Sequence, residues 1–158
     1  MPSFTKFSDL EKYLTQNVSE VVRNSAELQR VLESTMRDAI MEKVYDAYEP
    51  EYYKRRGSNG GLLDTRNFQV TSVDIVGNSV VLRYENLTTG ADNLRGKYII
   101  DLIEGGEGAS GLHWSNPNGE WANKRQAIAH AKQQLRDNPN GLKNALKDAL
   151  KGRGFQVK

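Results

Sequence analysis

Residues 67–85 read NFQVTSVDIVGNSVVLRYE, and this stretch decides the fold class. Asn67-Phe68-Gln69-Val70 opens a strand that Val73, Ile75 and Val76 continue, with a change of alternation near Ser72 that predicts a bulge. Gly77-Asn78 is a two-residue hairpin signal. On the return strand Val80, Leu82 and Tyr84 alternate with Val81, Arg83 and Glu85, the period of a half-buried strand. Farther on, Lys97 to Ile103 sets Tyr98, Ile100 and Leu102 against Ile99 and Ile103, which predicts a third strand. The expectation is a small antiparallel sheet of three or more strands.

Helical patterns lie on both sides of this sheet. Ser8-Asp9-Leu10-Glu11 fits a capping box, and Leu10, Tyr13, Leu14, Val18, Val21 and Val22 keep helical spacing. Asn17, Asn24 and Ser25 are poor interior residues, so a break falls at 24–25 and Ser25 caps a second segment. There Leu28, Val31, Leu32, Thr35, Met36, Ala39, Ile40, Val44 and Ala47 recur at three and four, until Pro50 ends the helix. Residues 48–64, YEPEYYKRRGSNGGLLD, then form an exposed loop by their proline and glycines. After the sheet, a second glycine-rich loop runs from Glu104 through Gly119. Trp121 to Arg136 is helical, Asp137-Asn138-Pro139-Asn140-Gly141 breaks it, and Leu142, Ala145, Leu146, Ala149 and Leu150 describe a last helix. Gly152 and Gly154 stop it, leaving Phe155-Gln156-Val157 as an edge strand. The fold class is α+β, with the long helix laid across one sheet face and C-terminal helices following. A single domain spans 1–158, with an N-terminal helical segment at 1–24, a core at 25–136 and a basic helix and tail at 137–158.

Composition narrows the function. The 158 residues hold 22 Lys plus Arg against 20 Asp plus Glu, with 37% apolar residues and no cysteine. That suits one soluble folded domain and excludes disulfides, cysteine zinc sites and thiol nucleophiles. Apolar runs are too short for a membrane span, and MPSFTKFSDLEKY lacks the apolar core of a signal peptide. Charge is unevenly placed: residues 1–50 carry 6 basic and 9 acidic groups, residues 51–120 carry 7 and 9, and residues 121–158 carry 9 and 2, or +7. The excess positive charge sits in the tail.

Catalytic patterns are weak. The two histidines, His113 and His130, fall on different elements. Asp101, Glu104 and Glu107 near His113 lack the fixed ligand spacing of metal sites. Glu104-Gly105-Gly106-Glu107-Gly108 lacks the Lys-Ser/Thr ending of a phosphate loop, and its carboxylates repel phosphate. A metal-independent ribonuclease would set His113 or Glu104 against Lys124 and Arg125, but nothing in the spacing requires it. The chain therefore reads as non-enzymatic, with no catalytic residue, metal, cofactor, membrane or small-molecule substrate. Two surfaces stand out instead. Tyr45, Tyr48, Tyr52 and Tyr53 with Lys54, Arg55 and Arg56 form a patch rich in the residue types of buried protein contacts. Lys143, Lys147, Lys151 and Arg153, with Lys124, Arg125, Lys132 and Arg136 on the preceding helix, form a basic surface that attracts phosphate backbones. Lysine stripes also simply solvate a helix, so nucleic-acid binding or cleavage by these helices is the alternative reading.

The segment Val44 to Arg56 followed by Gly60-Gly61-Leu62-Leu63-Asp64 resembles small structural proteins from the morphogenesis clusters of tailed phages and prophages of Gram-positive hosts. Tyr98-Ile99-Ile100-Asp101-Leu102-Ile103-Glu104-Gly105-Gly106 is similar to the strand and acidic-glycine turn of tail-completion and minor-capsid proteins. That family closes its domain with an Arg-Pro-Phe-like segment, where this chain has Lys124-Arg125-Gln126-Ala127-Ile128. The resemblance covers about residues 25–136 and implies a non-enzymatic virion protein of the head–tail joint or tail end. It implies a homo-oligomeric ring assembled in the host cytoplasm and carried in the virion, in contact with neighbouring virion proteins. The interface residues it points to are Tyr48, Tyr52, Tyr53, Arg55, Arg56, Leu62 and Leu63 in the first loop, and Glu104, Gly105, Gly106, His113 and Trp114 in the second.

Overall fold

The computed structural model describes residues 3–47, 55–77, 79–90, 98–105 and 125–157. Of the residues singled out above, Tyr48, Pro50, Tyr52, Tyr53, Lys54, Asn78, Lys97, Gly106, Glu107, Gly108, His113, Trp114, Gly119, Trp121 and Lys124 lie outside the described residues. The elements in order are α1 (Phe7–Asn24), α2 (Ala26–Ile40), β1 (Phe68–Val76), β2 (Ser79–Asn86), α3 (Ile99–Gly105), α4 (Ala127–Asp137) and α5 (Asn140–Gly152). A π-helical turn, Met41–Tyr45, continues α2, and a 3-10 turn, Thr65–Asn67, precedes β1. The class is α+β, as the sequence predicts.

Contacts divide the chain into two compact units, one of Met1–Leu32, Val70–Tyr84 and Pro139–Lys158, the other of Glu33–Gln69 and Glu85–Asn138. In the first unit, Val73, Val80 and Leu82 present one face of the hairpin to a cluster built from Val22, Leu28 and Ala145, joined by Val18, Val31, Leu32, Leu142 and Leu146. Helices α1, α2 and α5 thus cover a single sheet face, each side chain contributing about 1.5–3 kcal/mol when fully buried.

The break between α1 and α2 falls where the asparagine and serine predict it. Ser25 is extended (ψ 104) and buried, and its hydroxyl accepts from the Leu28 backbone N–H at 3.1 Å. Ser25→Ala removes this cap and is expected to cost about 1 kcal/mol in a denaturant titration, while Ser25→Asp keeps most of it. The capping box at Ser8 does not form. The Lys6 carbonyl accepts from the Asp9 and Leu10 N–H groups at 3.2 and 3.3 Å, so the helix starts at Phe7 and Ser8 lies inside its first turn.

In the second unit the buried apolar residues include Met36, Ala39, Ile40, Val44, Leu62, Phe68, Ile100, Ala127 and Ala131. Here the predicted third strand is instead helix α3. Sheet-like pairing beyond the hairpin is limited, among the described residues, to one antiparallel bridge between Thr89 and Tyr98, after which the Ile99 N–H donates to the Thr88 carbonyl at 2.8 Å. Ile99, Ile100 and Ile103 satisfy strand alternation and helical spacing equally, and α3 packs on α4. Two further corrections concern ends. Helix α4 begins at Ala127, because Gln126 takes a left-handed φ of 28°. The C-terminal edge strand is absent because Phe155 and Gly154 cap α5: their N–H groups donate to the Leu150 and Lys151 carbonyls at 3.1 and 2.8 Å. With φ of +84° at Gly154 this is a Schellman motif, which turns the chain back at the helix end.

Candidate functional site

A buried polar cluster in the second unit ties residues 60–67 to the segment that leaves β2. Asn86 donates from Nδ2 to the Leu62 carbonyl at 2.9 Å and accepts at Oδ1 from the Thr88 N–H at 3.1 Å. The Thr88 hydroxyl donates to the Gly61 carbonyl at 3.1 Å and accepts from Asn67 Nδ2 at 2.9 Å. Gly61 is required here: a Cβ would stand 2.5 Å from the Gly57 carbonyl oxygen. Asp64 accepts from the Gly60 N–H at 2.7 Å, from the Arg66 N–H at 3.0 Å and from both arms of the Arg66 guanidinium. Arg66, then the Gly60 and Arg66 backbone amides, hold the Asp64 carboxyl well below the usual carboxylate range.

That direction fixes a pH dependence. An Asp whose folded pKa is depressed stabilises the fold fully above its unfolded pKa of about 3.9, and the contribution is lost as pH falls through the folded value. Acid titration of the wild type is expected to show a stability decline beginning near pH 4, and Asp64→Asn to flatten it. An unchanged acid limb in the variant would contradict this assignment.

The sequence-predicted interface residues that the structure describes take up internal roles. Arg55 donates to the Tyr45 and Val44 carbonyls at 2.8 and 3.4 Å, capping the π-helical turn, with its guanidinium 4.8 Å from the Tyr45 ring centre. Arg56 donates to the Thr89 carbonyl at 2.7 Å. Leu62 is buried and Leu63 partly so, so the loop is exposed at Ser58 and Asn59 but not at Gly61, Leu62 or Asp64. The Glu104 carboxylate accepts from the Ile128 N–H and so caps α4, whose own N-cap residue makes no side-chain cap bond. No local sequence signal marks these caps, because each joins residues far apart in the chain. Gly105 ends α3.

A second polar pair links α4 to the π-helical turn. His130 Nε2 lies 2.9 Å from Glu42 Oε2, with Lys43 on the other carboxylate oxygen. Lys43, then His130, lower the Glu42 pKa. Gln134 Nε2 stands 3.2 Å from the same ring nitrogen. Among the described residues no cluster of three or more metal-ligating side chains occurs.

Two surfaces remain. On the hairpin, Ile75, Val76 and Val81 are 50%, 63% and 40% exposed. Among the described residues the sheet has two strands only, so β1 and β2 each keep one long edge without a strand on it. On α5, Lys143 and Lys151 are exposed and Lys147 partly so, opposite the buried Ala145. Arg153 approaches Glu20 of α1 at 3.7 Å. Lys132 is exposed and Arg125 partly buried in the second unit.

The sequence model of one protein family, YomN, matches residues 6–152, nearly the whole chain. The chain belongs to the YomN family. YomN is phage-derived and of prophage type, which makes this a phage-associated protein. The match runs from the start of α1 to the end of α5 and so takes in both units. No curated protein and no solved structure matches the chain. No helix among the described residues is long and apolar enough to cross a membrane.

Proposed function

We propose that this YomN-family chain is a non-enzymatic virion assembly protein of the head–tail connector or tail-completion type, acting as one subunit of a ring through its sheet edges and loops. The observation that carries the reading is the hairpin. A two-stranded sheet whose outer edges carry no further strand among the described residues, with apolar side chains exposed at its tip, is a surface that pairs with another chain unless it is covered. An edge of β1 meeting an edge of β2 on the next copy is a head-to-tail contact, and head-to-tail contacts close into rings when the rotation per subunit allows. Membership of a phage-derived family supports a phage setting for that assembly, and the resemblance of residues 44–64 and 98–106 to tail-completion proteins supports the head–tail position.

Light scattering after gel filtration, across a range of protein concentrations, tests the ring. The expected result is a discrete species several times the 17.8 kDa subunit mass that grows with concentration. A monomer at every concentration would overturn self-assembly through the hairpin.

A further inference from the structure

We propose that the outer face of α5 binds the phosphate backbone of duplex DNA, without sequence preference. Lys143, Lys147 and Lys151 follow one another at four-residue intervals, about 6 Å apart along the helix axis. By helical geometry they share the face that also carries Asn140 and Asn144, opposite Leu142, Ala145 and Leu146, which pack in the core of their unit. Every side chain on that face is a hydrogen-bond donor.

Three observations select the ligand. None of the three lysines joins an ion pair among the described residues, although Asp148 is exposed on the flank of the same helix. The helix dipole accounts for Lys151 in the last turn but disfavours Lys143, which stands in the first, where α5 has no acidic residue. The unit holding α5 carries 10 Lys plus Arg and 6 Asp plus Glu, against 12 and 14 in the other, so the positive face lies on the positive unit. A protein partner fits less well, since lysine is depleted from the cores of protein interfaces and this face has no aromatic or aliphatic anchor. A single strand fits less well because the face offers no ring on which a base could stack. Phosphates of a duplex need neither. This contact stands independently of the ring reading.

The test is fluorescence anisotropy of the full chain with labelled duplexes of about 20 base pairs in two unrelated sequences, between 50 and 200 mM salt. Both duplexes are expected to bind equally. Three lysine–phosphate contacts contribute about 2.7 to the slope of log K against log salt, or roughly 40-fold in affinity over that range. K143Q/K147Q/K151Q should lose that share of the slope and at least tenfold in affinity at 50 mM, with unchanged thermal melting, whereas K132Q/R136Q should leave the slope as it is. An unchanged slope in the triple variant, no binding by the wild type at 50 mM, or displacement of the duplex by polyglutamate at equal charge would each overturn the proposal. Solution mass does not enter the result, so a monomer that binds DNA refutes the ring and leaves this contact standing.

Discussion

Replacing Asn86 by alanine is expected to lower the stability of the fold by about 2–4 kcal/mol, measured as a shift in the urea midpoint at constant slope. The side chain is 2% exposed and answers two backbone groups at once, the Leu62 carbonyl and the Thr88 N–H. Alanine removes both partners, and each buried group left unpaired costs about 1–3 kcal/mol. The loss also acts on Thr88, whose hydroxyl bridges Gly61 and Asn67. Asn86→Ala and Thr88→Val should therefore couple in a double-mutant cycle by at least about 0.5 kcal/mol. Asn86→Asp sharpens the test: it keeps the acceptor for Thr88 but turns a buried donor into a charge facing the Leu62 carbonyl, so it should be worse at pH 7 than at pH 4. A cost below about 1 kcal/mol for the alanine would mean that the loop is held by the Asp64–Arg66 arrangement instead.

What the sequence makes legible follows the range of the interaction. The hairpin around Gly77, the break at Ser25 and the outward lysines of α5 are each set by residues within a few positions of one another, and each is where periodicity predicts it. The run from Ile99 to Ile103 is too short for its period to separate strand from helix, and packing against α4 decides for the helix. Long-range caps were out of reach altogether. Arg55 on the π-helical turn, Arg56 on Thr89 and Glu104 on α4 join positions 10, 33 and 24 residues apart. In the sequence, the same arginines and glutamate have the composition of a docking patch, because the donors that close an open helix end are the donors that would meet a partner. Asn86 and Thr88 belong to no sequence motif, and only the fold shows that they are buried, with Asn67 half-buried beside them.

Lysine at both Ile75 and Val76 is expected to reduce the assembled protein to its monomer mass while leaving the fold intact. These two side chains are more than half exposed or at half exposure, at the end of β1, so a charge there meets solvent in the isolated chain and should change stability by less than about 0.5 kcal/mol. Ile75 and Val76 point to opposite faces of β1, so in an edge-to-edge ring each lysine stands on its own face beside the next copy's strand and loses part of its hydration there, with no acidic partner assigned to it. Burying an unpaired charge costs several kcal/mol, enough to shift a micromolar contact out of the measurable range. The contrast variant is Leu82→Ala. Leu82 packs into the core of its unit, so its loss should lower the melting temperature through roughly 2–4 kcal/mol of destabilisation while the folded fraction still assembles. If both variants lower mass and melting together, assembly and folding are one event. If the lysine variant keeps the wild-type mass, the hairpin tip is not the contact and the sheet edges do not build the ring.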